Sequence, residues 1–157
     1  MKFVLYAVLA LSVLVIVYFV ILSVMSQSAS VAKGLDNMGD VHPCADKPNC
    51  VTTSSAESRD KFKFSAWSLA AGKSFEDFSR FFATNYPEAE KVSEKDGYLH
   101  LVFRTKIFRF PDDVEFNVKD NLVHMRSQSR AGYSDLGKNR ERLDQFAEEL
   151  RNSGIIQ

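Results

Sequence analysis

Val114-Glu-Phe-Asn-Val118, Asp120-Asn121 and Leu122-Val-His-Met-Arg126 read as a strand, a tight turn and a second strand. With two residues in the loop, Val118 faces Val123, Phe116 faces Met125 and Glu115 faces Arg126. This register sends the apolar side chains to one face and sets opposite charges against each other on the other, worth roughly 0.2–1 kcal/mol for such a cross-strand pair. A slip of one residue would turn the apolar set to solvent. The pattern extends upstream. Asp96-Gly97 suits a two-residue type I′ hairpin. Tyr98 to Thr105 alternates, with Leu99, Leu101 and Phe103 on one face and Tyr98, His100, Val102 and Arg104 on the other. Pro111-Asp112 marks a turn, and Phe62 to Leu69 alternates well enough for a first strand.

Two helices complete the domain. Ser74 reads as an N-cap with Asp77 at the third helical position, and Phe75, Phe78, Phe82 and Tyr86 follow at spacings of three and four. Phe81 broadens the stripe, and the helix should stop before Pro87. Such a stripe, with Trp67, reads as packing core in preference to a lipid groove. The last helix runs from about Leu136 or Asn139 to Asn152, with Leu143, Phe146, Ala147 and Leu150 as its inner stripe. Ser134, Asp135 and Asn139 all qualify as its cap, and Gly154 fits its stop. The expected fold is α+β: β-α-β-β-β-β-α, an antiparallel meander sheet with both helices packed on one face.

A single N-terminal transmembrane helix is expected to precede this domain. Phe3 to Val24 carries no charge, and about 22 residues at roughly 1.5 Å each exceed a hydrocarbon core of about 30 Å. A cleaved signal peptide is the alternative, with Ser30-Val31-Ala32 as a cleavage site. Lys2 before the span, against Lys33, Asp36 and Asp40 after it, gives a weak bias for a cytoplasmic amino terminus. The chain thus divides into an anchor over residues 1–25, a Ser, Ala and Gly-rich juxtamembrane linker over 26–41, and a domain over 42–157. Cys44 and Cys50 are the only cysteines. In an oxidising compartment they would close a small ring worth roughly 2–2.5 kcal/mol in chain entropy. His42 does not complete a zinc site with them. The domain is therefore expected outside the cytoplasm, on the periplasmic side of an inner membrane.

Twenty basic and twenty acidic residues cancel, so the chain lacks the basic excess of a nucleic-acid binder. The polar groups concentrate between Arg126 and Arg142. There Arg126, Ser127, Ser129, Arg130, Asp135, Asn139 and Arg140, with Glu115 opposite Arg126, are the candidate ligand-binding residues. Guanidinium forks and serine hydroxyls suit an anionic small molecule or a lipid head group. The competing reading is a structural network in which Arg126 pairs with Glu115 while Asp135 and Asn139 tie down a loop. Catalytic chemistry is thinly represented. His42, His100 and His124 are the only histidines, and Ser127 beside His124 points to the opposite face of a strand. An enzyme would have to use Glu115 with His100 or His124. No phosphate-binding loop, dinucleotide fingerprint or metal-ligand spacing is present, so no cofactor and no metal are expected.

Several stretches together resemble the domain-of-unknown-function family 1499. They are Pro43-Cys44, Pro48-Asn49-Cys50-Val51, Asp113-Val114-Glu115-Phe116, and the run of Arg126, Ser127, Ser129, Arg130, Gly132, Asp135, Gly137, Asn139, Arg140 and Arg142. The resemblance spans roughly His42 to Leu150, with Thr52-Thr53 where serines are commoner. It implies an exported, membrane-anchored or lipoprotein-like protein and supplies no reaction. The expected function is a non-catalytic binding or accessory module for an anionic small molecule, a lipid head group or a membrane-protein partner. A hydrolase- or isomerase-like enzyme and a structural subunit of a membrane complex are the alternatives.

Overall fold

The computed structural model describes residues Met1–Gln157. A long helix, α1 (Lys2–Gln27), leads into an extended segment and then the domain. The domain contains strands β1 (Cys50–Thr52), β2 (Trp67–Ser68), β3 (Glu90–Lys95), β4 (Tyr98–Arg104), β5 (Pro111–Lys119) and β6 (Leu122–Ser129). Helix α2 (Phe75–Asn85) precedes β3, and α3 (Lys138–Asn152) follows β6. The sheet is antiparallel in the order β1-β6-β5-β4-β3, with β2 also on the outer edge of β6.

The register of the central hairpin is the one the sequence implies: Val118 opposite Val123, Phe116 opposite Met125, Glu115 opposite Arg126. Both hairpin turns use left-handed backbone, at Asp96 and Gly97 and again at Asp120 and Asn121, as a type I′ turn requires. At Gly97 the need is steric as well. A Cβ there would sit 2.8 Å from the Val118 carbonyl oxygen.

Helices α2 and α3 cover one sheet face. Phe78 and Phe82 from α2 and Phe146 from α3 close on Phe116, with ring centroids 5.2, 4.9 and 6.3 Å away. Leu99, Leu101, Val114, Val123, Met125, Leu143 and Leu150 fill the rest of this core. Ser74 and Asp77 form the capping box at the start of α2. At α3 the cap position falls on Gly137, in left-handed backbone, and on none of the three expected residues; Asp135, two residues before it, accepts from the Gly137 and Asn139 amides at 3.0 and 2.7 Å. The chain end returns to the sheet, where Ile155 and Ile156 are buried and the Gln157 amide donates to the Ser68 carbonyl.

Two local expectations need correction. The expected strand over Phe62–Leu69 shrinks to Trp67–Ser68, and the stretch Asp46–Asp60, expected as loop, holds β1. The cause is competition for one edge. β1 occupies Arg126–Gln128 of β6, which leaves Leu122 and Val123 for β2. Phe62 is taken up in a 3-10 turn over Asp60–Phe62 beneath the Cys44–Cys50 disulfide, whose Cα atoms are 5.7 Å apart.

The segment after α1 is the second surprise. Residues 28–41, rich in small residues, lie along the other face of the sheet as a strap. Val41 is fully buried, and a tight turn between Leu35 and Val41 is closed by the Asp36 carboxylate accepting the Met38 and Asp40 amides. Helix α1 also meets the domain: Phe19 stacks on Phe108 with centroids 5.0 Å apart, and Gln27 donates to the Arg109 carbonyl at 2.9 Å.

Candidate functional site

The pleat divides the polar residues of β5 and β6 between two faces. Asp113, Glu115, Asn117, Arg126, Gln128 and Arg130 look away from the helices, while Asp112, Ser127 and Ser129 look toward them. The candidate residues between Arg126 and Arg142 therefore do not form one pocket. All but Arg140 fall into two clusters with the sheet between them.

The outer cluster centres on Arg126 and Glu115, each 1% exposed at the side chain, with Nη1 donating to Oε2 at 2.9 Å. Arg126 also donates to Gln128 through Nη2 and to the Val31 carbonyl through Nη1, and its Nε is buried without a partner. Glu115 accepts from the Tyr98 hydroxyl at 2.8 Å and from the Gly34 amide at 2.9 Å. Next to it, Asp113 accepts two bonds from Arg130, at 2.8 and 2.7 Å, and one from the Val31 amide at 3.1 Å. His100 Nε2 lies 2.7 Å from the same carboxylate. Burial alone would raise the Asp113 pKa, but the bonds from His100, Arg130 and the Val31 amide outweigh it and hold the carboxyl well below its ordinary range. Asp113 in turn raises the pKa of Arg130. The Tyr98 hydroxyl is pushed well above its usual value by burial and by the charge of Glu115.

The strap completes this cluster, and it does so with its main chain. Besides the bonds at Val31 and Gly34, the Gln27 carbonyl accepts from Arg130 at 3.2 Å, Gly39 from Asn117 at 2.8 Å and Met38 from Lys119 at 3.2 Å. Five side chains of one sheet face thus hold the backbone of the strap, and Arg130 holds the end of α1 just before it. Each buried guanidinium among them already has its carboxylate, Arg126 with Glu115 and Arg130 with Asp113, and the one cation in excess is the exposed Lys119. Glu115 hydrogen-bonds to no histidine: His100 lies directly opposite it on β4 but bonds to Asp113, and the partners of Glu115 are Tyr98, Arg126 and Gly34.

The inner cluster centres on Asn139, buried at the start of α3. Its amide donates to the Asn49 carbonyl and the Ser129 hydroxyl, both at 3.0 Å, and to Asp135 at 2.8 Å. Its oxygen accepts from Ser127 at 2.5 Å and from Arg142 at 3.0 Å. Arg142 continues to Asp112 at 2.5 Å. Asn49 donates to the Ser129 and Gly132 carbonyls at 3.2 and 3.3 Å. These bonds fasten the disulfide loop, the end of β6 and the start of α3 to one another.

Arg140 belongs to neither cluster. It donates to the Lys61 and Lys63 carbonyls and lies over the Phe64 ring. It borders an open groove of about 880 Å³ with Asp144, Glu148 and Arg151, whose mixed signs set up no net field. No group of three or more His, Cys, Asp or Glu side chains is placed to hold a metal ion.

Asn49, Asp112, Asp113 and Gln128 stand outside the expected ligand-binding set, and His100 was expected only as a partner of Glu115 in an enzyme. Asn49 was visible only within the Pro48–Val51 stretch that carries the family resemblance, and Asp112 only as a turn former. A third group that sequence reasoning did not anticipate ties the disulfide loop together. Buried Glu57 accepts from Arg59 and from the Cys44 amide, and the Arg59 bond pulls its carboxyl down to about 2.

No curated protein and no solved structure matches the chain significantly. A family model does, described as a protein of unknown function (DUF1499) and covering residues 40–150. That span takes in the disulfide loop, the whole sheet, α2 and α3 up to Leu150, and with them the side chains of both clusters, while the main-chain groups of residues 27–39 lie before it. The chain belongs to the DUF1499 family of proteins of unknown function.

Proposed function

We propose that this protein is a signal-anchored, non-catalytic binding module of the periplasm, whose polar sheet face receives an extended stretch of polypeptide. The apolar length of α1 and the Cys44–Cys50 disulfide support export and anchoring in the inner membrane. The observation that carries the binding reading is the grip on the strap. Asp113, Glu115, Asn117, Lys119 and Arg126 all bond to its main-chain groups, and Arg130 holds the Gln27 carbonyl just before it. A face that bonds amides and carbonyls recognises a backbone shape and tolerates variation in side chains, as in other modes of extended-peptide recognition. In this reading residues 28–41 occupy in cis a place that a segment of a partner protein takes in trans. A lipid head group or small anion is the weaker reading, because Glu115 and Asp113 already neutralise Arg126 and Arg130.

The test replaces residues 28–41 of the full-length chain by a Gly/Ser segment of equal length and adds a labelled synthetic peptide of the native 28–41 sequence. Saturable binding in fluorescence anisotropy, abolished by Arg126→Met, is the expected result. A strap-replaced protein that keeps its disulfide and its near-ultraviolet circular dichroism but leaves the peptide free would overturn the reading.

A further inference from the structure

Outside α1, three of the most exposed large apolar side chains lie on two loops: Ile107 at 84% on the β4–β5 connection, and Tyr133 at 71% and Leu136 at 91% on the β6–α3 connection. Both loops meet at the far end of α1. Phe19 and Leu22 share a cavity of about 210 Å³ with Thr105, Phe110, Ala131 and Gly132. Phe108 stacks on Phe19, and its carbonyl accepts from the Ser23 hydroxyl. These contacts fix the depth of the first loop. Phe19 lies five residues before the end of the apolar run at Val24, or about 7 Å along a helix axis. If α1 spans a hydrocarbon core of about 30 Å, Phe108 lies several Å inside the outer edge of that core. Ile107 beside it then has no water to face.

The charges agree with this placement. Lys106 and Arg109 flank the apolar tip and are exposed. Most nearby acidic groups are engaged within the protein: Asp112 with Arg142, Asp135 with amides at the start of α3, Glu141 with Lys138 and Glu90 with Arg104, while Glu88, across a groove from Thr105, forms no ion pair. A basic rim around an apolar tip lets long side chains reach lipid phosphates while the tip enters the acyl boundary.

We propose that loops 105–110 and 131–136 form a membrane foot. Ile107, Phe108, Tyr133 and Leu136 enter the outer leaflet beside α1, and Lys106 and Arg109 bind phospholipid phosphates. This rests on the anchor reading of α1 and adds to it a fixed orientation of the domain on the bilayer.

The experiment exploits the absence of free cysteines. Single cysteines at Ile107, Leu136, Val13 and Lys95 are spin-labelled in the full-length protein in phosphatidylglycerol nanodiscs, and collisions with oxygen and with a water-soluble nickel chelate are measured. Lys95 sits by the β3–β4 turn, at the end of the sheet away from the loop. The labels at 107 and 136 should meet the chelate several-fold less often than the label at 95, and the label at 13 should be fully shielded. Lys106→Gln with Arg109→Gln should raise chelate access at 107. Shielding at 13 with free chelate access at both 107 and 136 would overturn the foot and leave the anchor standing. Chelate access at 13 would overturn the anchor and the foot together.

Discussion

The two faces of the sheet solve one problem, burying polar groups, in opposite ways. On the helix side, the Asn139 cluster is closed by side chains and carbonyls from within the domain. On the other side, the Glu115–Arg126 and Asp113–Arg130 pairs are closed by a strap that belongs to the junction with α1. The inner cluster can open only if the domain unfolds. The outer cluster can open by moving one extended segment while the hairpin beneath it stays paired. A polar group buried by a removable cover is available to a partner, whereas one buried by the core is not.

The largest expected effect tests the outer pair itself. Arg126→Met strands the Glu115 charge with its remaining partners and should cost about 3–5 kcal/mol in chemical denaturation. Combining it with Glu115→Leu should recover most of that loss. Absence of recovery would mean that the strap, not the pair, dominates the stability of this face. Asn139→Ala should cost roughly 2–3 kcal/mol by leaving buried donors and acceptors unpaired. It should leave hydrogen-exchange protection of the strap amides unchanged, and lost protection there would show that the faces are coupled. Replacing both Cys44 and Cys50 by Ala should cost about 2 kcal/mol, and should loosen Asn49 and the inner cluster ahead of the strap.

Smaller effects belong to the cover. Gly34→Pro removes the amide that donates to Glu115 and conflicts with a φ of +71°. It should cost about 1 kcal/mol, and strap amides should exchange freely while those of β5 and β6 stay protected. Acid should act in the same place. Because the native Asp113 pKa is depressed, its contribution is complete above the ordinary value of about 3.9 and shrinks as pH falls toward the native one. Strap protection should therefore survive mild acid and disappear only below the usual carboxylate range. Loss already near pH 5 would contradict the assigned bonds.

The central hairpin was legible because alternation and turn chemistry point to the same register. Val118, Phe116 and Met125 on one face and Glu115 and Arg126 on the other leave little choice. The capping box at Ser74 and the apolar stripes of both domain helices were legible for the same reason, since each is a local pattern. Strand β1 was not, and β2 was expected only as part of a longer strand over Phe62–Leu69. A three-residue strand carries no period, and its place was decided by which part of the β6 edge remained free. The candidate site was legible as a list of residues but not as an arrangement. Arg126 and Ser127 are adjacent in sequence and end on opposite sides of the sheet.

By itself the sequence determined the elements, the central register, the apolar helix and the cysteine ring, because each depends on neighbours a few residues away. Only the tertiary structure decided that a segment resembling a flexible linker would be pinned across the sheet. Its small residues carry no signal of their own. Its order comes from side chains more than seventy residues further along the chain, which need main-chain partners once they are buried.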